Sequence, residues 1–232
     1  MTSPGTTRHS TADAIPGDVP DDRVDAIRYT VLRKLAPGLR HALMGELQAI
    51  QLSAEFAARV LRAGADLAEV SDSLGRIPNQ CSAAVKTGRS LIEWLQPERG
   101  ASVSVGQCVG QCLRLAGEDW FLRGIEATTD VPDADVQVSK AALQEVLITA
   151  LLVLTDMYHQ SADLHVSVRA AEDHVDVVVR ARAAERSASI PPVLSYRKLG
   201  WADLKLLAGA HGVPCVCEDG TASLQIRRQS TP

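Results

Sequence analysis

The run Arg40-His41-Ala42-Leu43-Met44-Gly45-Glu46-Leu47-Gln48-Ala49-Ile50 places an ionisable side chain inside an amphipathic helical pattern. Stepping about 100° per residue from Leu43, the residues Leu32, Ala36, Leu39, Leu47, Ile50, Ala54, Ala57 and Leu61 fall in one apolar stripe. His41 falls about 160° away, sharing its face with Lys34, Pro37, Gly45, Gln48 and Leu52. A core histidine is excluded by that placement. Two readings remain: an incidental surface residue, or an imidazole presented to a partner. A water-exposed imidazole titrates near ~6.5, so at neutral pH it is mostly neutral and a ring nitrogen can act as a nucleophile. Gly45, one turn further on, costs a helix ~1 kcal/mol relative to Ala, and it leaves room for a second molecule to approach.

The other reactive side chains form no comparable arrangement. His159, His165, His174 and His211 fall at turns, on a strand and at a helix end, with no carboxylate or Cys at ligand spacing. They read as structural or incidental, and Asp21, Asp22, Asp133 and Asp135 as solvated loop charges. No Ser-His-Asp arrangement and no dinucleotide fingerprint occurs. The five cysteines, Cys81, Cys108, Cys112, Cys215 and Cys217, are spaced CxxxC and CxC without zinc or redox partners, and are read as reduced, structural thiols. No metal or cofactor site follows from these residues.

The 232 residues suit one large domain or two small ones, with a net charge of −4 and no basic run, which argues against a nucleic-acid partner. No apolar stretch approaches the ~20 residues of a membrane span. Residues 1–22 are polar, rich in Pro and Gly and lack an apolar signal core; they read as a disordered tail on a cytoplasmic protein.

The elements that must position His41 are helical. One pattern runs from about Asp22 to Ala63, with Pro37 expected to kink or restart it; a second runs from about Asp66 to Leu95, interrupted by Pro78. Joined by a short turn, residues 23–97 form an antiparallel hairpin with too few layers to bury both seams. It must dock on the rest of the chain or pair with a second copy as a dimeric four-helix bundle; the homodimer is the favoured expectation. Beyond Gly100 the pattern changes. SVSVGQCVGQCLRLAGEDWFLRG reads as strand then helix, IEATTDV as a strand, and SKAALQEVLITALLVLTDMYHQ as a helix capped by Ser139. ADLHVSVRAAEDHVDVVVRARA reads as a hairpin, WADLKLLAGAHG as a Gly-closed helix, and PCVCEDGTASLQIRR as a hairpin about Asp219-Gly220. Residues 98–232 are therefore an α+β sandwich, helices on one face of a mixed sheet.

This order, over about residues 25–228, resembles the transmitter region of bacterial histidine kinases. His41 with Leu43, Leu47 and Ile50 is similar to that family's phosphoacceptor box. AALQEVLITALLVLTD is similar to its nucleotide-site helix, and LGWADLKLLAGAHGVPCVCEDGTASLQIRR to its closing helix and hairpin. The departures point one way. Ala42 stands where an acid follows the His, and Glu46 where a Pro or Asn precedes the Leu. Thr149 and Val153 stand where Asn residues hold Mg²⁺ and phosphate. Arg180 or Arg182 takes the place of the adenine-binding Asp, and RARAAERSASIPP has neither Gly nor Asp where a DxGxG turn belongs. The glycine-rich lid is reduced to Gly200. Magnesium needs oxygen ligands, and a guanidinium has no acceptor to offer adenine.

The resemblance thus implies a degenerate histidine-kinase ATPase-like domain without ATP, and a chain similar to dimeric histidine phosphotransferases of the ChpT type. His41 would pass phosphate between the aspartates of response-regulator receiver domains, which supply their own Mg²⁺. Lys34, Arg40, Gly45, Gln48 and Leu52 would form the docking face. The alternative is a non-catalytic pseudokinase scaffold; an active histidine kinase ranks below both.

Overall fold

The computed structural model describes residues 22–64, 67–95, 100–120, 123–132, 136–158, 161–185 and 197–229. Residues 1–21 of the expected N-terminal tail lie outside them, as do His159, Asp133, Asp135 and most of the segment expected to hold a DxGxG turn. Asp22, read as the end of the tail and a loop charge, instead opens a helix, where its carboxylate suits the N-terminal end of the helix dipole.

Two long helices open the chain, α1 (Asp22–Arg62) and α2 (Leu67–Leu95), packed against one another as a hairpin. Neither proline restarts its helix. Pro37 and Pro78 are both exposed, and each helix runs on through its proline. The remainder is β1 (Ser102–Ser104), α3 (Val105–Trp120), β2 (Ile125–Asp130), β3 (Gln137–Ser139), α4 (Lys140–Met157), β4 (Ala162–Ala170), β5 (His174–Ala183), α5 (Trp201–Ala210), β6 (Cys215–Glu218) and β7 (Thr221–Arg227). Five strands form a mixed sheet in the order β2-β4-β5-β7-β6. β2 runs parallel to β4 and the other pairs are antiparallel. β1 and β3 form a separate antiparallel pair, and β3 has no counterpart in the sequence reading. Three residues are too few to show a period of two.

Local signals act where they were expected. Ser139 caps α4, its hydroxyl accepting from the Ala142 N–H. α5 closes in a Schellman motif: Gly212 takes φ +62°, its N–H bonds Gly209 O, and Val213 N–H bonds Ala208 O. Asp219 (φ +40°) and Gly220 (φ +73°) both adopt left-handed backbone between β6 and β7, as a two-residue hairpin turn requires. A Cβ on Gly220 would lie 2.9 Å from both Ala181 O and Tyr158 Oη, so glycine is needed there for space as well as for φ.

The sheet buries Leu164, Val166, Val177, Val179, Leu224 and Ile226 beneath α3, α4 and α5. The expected two-layer sandwich gains a third layer. Every residue of α4 from Ala142 to Asp156 is buried, because the N-terminal half of α1 lies over the helices and closes their outer side. Val24, Ile27, Val31, Leu35 and Leu39 of α1 belong to the same hydrophobic core as the sheet. A helix that is apolar all round needs cover on every side, and α1 supplies the side the sheet does not.

Candidate functional site

α1 divides into two halves with different surroundings. Up to Leu39 it is docked, but through a face about 100° from the expected stripe: Val24, Ile27, Val31 and Leu35 are buried, whereas Leu32 is half-buried and Ala36 is exposed, because the α/β domain approaches from that side. Beyond that point the apolar stripe is largely uncovered: Met44, Leu47 and Leu61 are exposed, Leu43 and Ile50 are half-buried, and only Ala57 and Val60 are buried. On α2, Leu74, Val85 and Ile92 are exposed, whereas Leu67, Val70, Leu91 and Leu95 lie outside the side chains described.

His41 stands just past the docked segment and is exposed. Among the described residues its imidazole has no hydrogen-bond or ion-pair partner. Arg40, Gly45 and Gln48 are exposed beside it, and Leu52 is 65 % exposed. A Cβ built on Gly45 would meet nothing within 4 Å, so its small size is not required by packing inside the chain. Leu52, Phe56, Arg59 and Arg76 line an open groove further along the hairpin.

Lys34 is placed differently from the other residues of that face. Its ammonium lies 2.8 Å from Asp156 Oδ2, with side chains only 11 % and 5 % exposed. The same oxygen accepts the Leu199 N–H at 3.2 Å. One carboxylate therefore joins α1, the end of α4 and the entry to α5. Six residues, just under two turns, before Lys34, Arg28 Nε lies 2.8 Å from Glu145 Oε2, and His211 Nε2 lies 3.0 Å from the same oxygen. Burial works to raise the Glu145 pKa, but His211 and Arg28 outweigh it and hold the carboxyl below its usual range. These contacts bolt the α/β domain to the base of the helix that carries His41. Lys34 lies seven residues, about 10 Å along the axis, from His41 on the same helix face.

This pair of bolts was missed in the sequence reading, which treated His211 as incidental. A signal was present. Glu145 and Asp156 are eleven residues apart in an otherwise apolar helix, which puts them about 20° apart on one face. Two carboxylates on a buried face need cations.

The positions aligned with nucleotide-binding residues are closed. Thr149 is fully buried and its hydroxyl donates to Glu145 O of its own helix at 2.7 Å; Val153 is fully buried. Strand alternation turns Arg180 and Arg182, the candidates for the place of the adenine-binding Asp, onto the sheet face away from the helices. Ala181 faces inward instead, and its carbonyl accepts the Tyr158 hydroxyl at 2.9 Å. Among the described residues no group of three His, Cys, Asp or Glu side chains converges as a metal site, and no helix is long and apolar enough to cross a membrane.

No protein-family model matches the chain, and no curated protein matches it. The solved structures similar to it include a phosphotransferase and histidine kinases. A bacterial phosphotransferase is 14 % identical at a TM-score of 0.42, the match covering 92 % of this chain and 100 % of that one. The catalytic domain of histidine kinase ThkA is 11 % identical at 0.41, covering 55 % of this chain and 93 % of that one. The Acinetobacter baumannii histidine kinase AdeS is 16 % identical at 0.39, covering 81 % and 96 %.

Proposed function

We propose that the chain is a histidine phosphotransferase of a two-component phosphorelay, working as a homodimer and without ATP. The observation that carries this reading is the contrast between two sites. His41 is exposed and, among the described residues, unpartnered on a helix anchored at its base, while Thr149 and Val153 offer no free oxygen to a nucleotide's metal.

In the transfer step a ring nitrogen of His41 attacks the phosphorus of an aspartyl phosphate in line with the scissile P–O bond. The N–P bond forms, the Asp–O–P bond breaks, the carboxylate leaves and the displaced ring proton goes to solvent. The reverse step on a second receiver domain regenerates the imidazole. Mg²⁺ to offset phosphoryl charge arrives with the receiver domain. Arg40, Gly45, Gln48 and Leu52 form the docking face, and Lys34 anchors the helix beneath it. The exposed stripe of Met44, Leu47, Leu61, Leu74, Val85 and Ile92 pairs with its equivalent in a second copy.

The scaffold reading is favoured by one observation, Ala42 in place of an acid beside the histidine. The deciding experiment mixes the protein and a His41→Ala variant with phosphorylated receiver domains and follows label into an acid-labile, base-stable adduct. Transfer by the wild type and none by the variant is the expected result. Receiver binding without any adduct would replace phosphotransfer with the scaffold. Saturable Mg²⁺-dependent ATP binding would overturn the ATP-free reading.

A further inference from the structure

The CxC run lies on β6, an edge strand of the sheet, which among the described residues pairs with β7 alone. With a period of two, Cys215 and Cys217 project to the same face, and their Sγ atoms lie 3.4 Å apart. Both are half-buried, and Val216 between them is exposed on the opposite face. The other cysteines differ in kind. Cys108 and Cys112 are fully buried on α3, and Cys81 is exposed and solitary on α2.

We propose that Cys215 and Cys217 form a reversible intramolecular disulfide by exchange with a low-molecular-weight disulfide of the glutathione class. Two residues of strand span about 6.6 Å, within the ~4.4–6.8 Å between Cα atoms that a disulfide tolerates, though near its upper end. An edge strand held on one side only can pucker at Val216 to close that gap. Burial, helped by the hydrogen bond to Cys217 and by the charge of a Cys217 thiolate and opposed by Lys205, pushes the Cys215 thiol up to about 12, so Cys217 is the attacking sulfur. The Cys217 thiolate attacks one sulfur of the small disulfide, forming a mixed disulfide and expelling one small thiolate. Cys215 then gives its proton to solvent and attacks Cys217 Sγ, expelling the second. The protein dithiol loses two electrons and the small disulfide gains them.

The test incubates the full chain with oxidised glutathione at neutral pH, alkylates remaining thiols and maps the peptides by mass. The expected result is a peptide carrying both Cys215 and Cys217 that has lost two hydrogens and takes no alkylating agent, while an added unstructured cysteine peptide carries a glutathione adduct that shows the reagent has acted. Cys215→Ser traps a glutathione adduct at Cys217, and Cys217→Ser leaves Cys215 alkylatable over the same time. The proposal is overturned if both thiols stay alkylatable once the added peptide is fully modified, or if each carries its own adduct.

Discussion

Lys34 Nζ and Asp156 Oδ2 lie 2.8 Å apart in a nearly dry seam between α1 and the α/β domain. Because Asp156 also accepts the Leu199 N–H, loss of the cation leaves a buried charge with one neutral donor. Lys34→Met is expected to cost about 3–5 kcal/mol in urea denaturation. Asp156→Asn, which keeps an acceptor for Leu199, is expected to cost less. A loss in Lys34→Met below about 0.5 kcal/mol would class the pair with ordinary surface bridges.

Glu145 sets an acid limit on the same docking. Its folded pKa is lowered, so its contribution to stability is fully present above the unfolded value near ~4.3 and fades as pH falls through the lower folded value. Unfolding midpoints followed from about pH 6 to about pH 3 should fall more steeply for the wild type than for Glu145→Gln. Parallel curves would mean that Glu145 titrates alike in both states.

Gly45 separates stability from function. Its helical surroundings leave a methyl group unopposed, so Gly45→Ala should raise stability by about 1 kcal/mol. The same methyl group stands on the proposed docking face, so receiver-to-His41 transfer should slow in that variant. A more stable variant with unchanged transfer rate would remove Gly45 from the docking face.

Gly220 should behave in the opposite way. Ala there meets two oxygens at 2.9 Å in a backbone conformation of φ +73°, and is expected to destabilise by about 1–3 kcal/mol, read from thermal unfolding. An unchanged melting temperature would show that the β6–β7 turn relaxes without cost.

Two faces of α1 predict two separable partners. Leu52 lies about 20° from His41 around the helix, and Leu47 about 120° away in the other direction. Leu47→Asp should give a monomer in light scattering, whereas Leu52→Asp should stay dimeric and lose receiver binding. A dimer that survives Leu47→Asp would place the contact elsewhere.

Most elements were legible from local pattern alone. The hairpins at residues 162–183 and 215–227 alternate because one sheet face is buried, and Ser139, Gly212 and the Asp219-Gly220 pair punctuate the chain by their own conformational preferences. The exposure of His41 also followed from its angle on one helix. What sequence left undecided was which partner covers each apolar face. Periodicity identifies a face that needs burial but carries no information about what buries it; the hairpin could dock on its own chain or on a second copy, and the second copy was the favoured expectation. The tertiary structure assigns the stretch from Val24 to Leu39 to the chain's own core and leaves the stripe of Met44, Leu47 and Leu61 uncovered. Likewise, Glu145 and Asp156 announced a need for cations, but Arg28, Lys34 and His211 meet them through contacts between elements far apart in the chain, which no local pattern encodes.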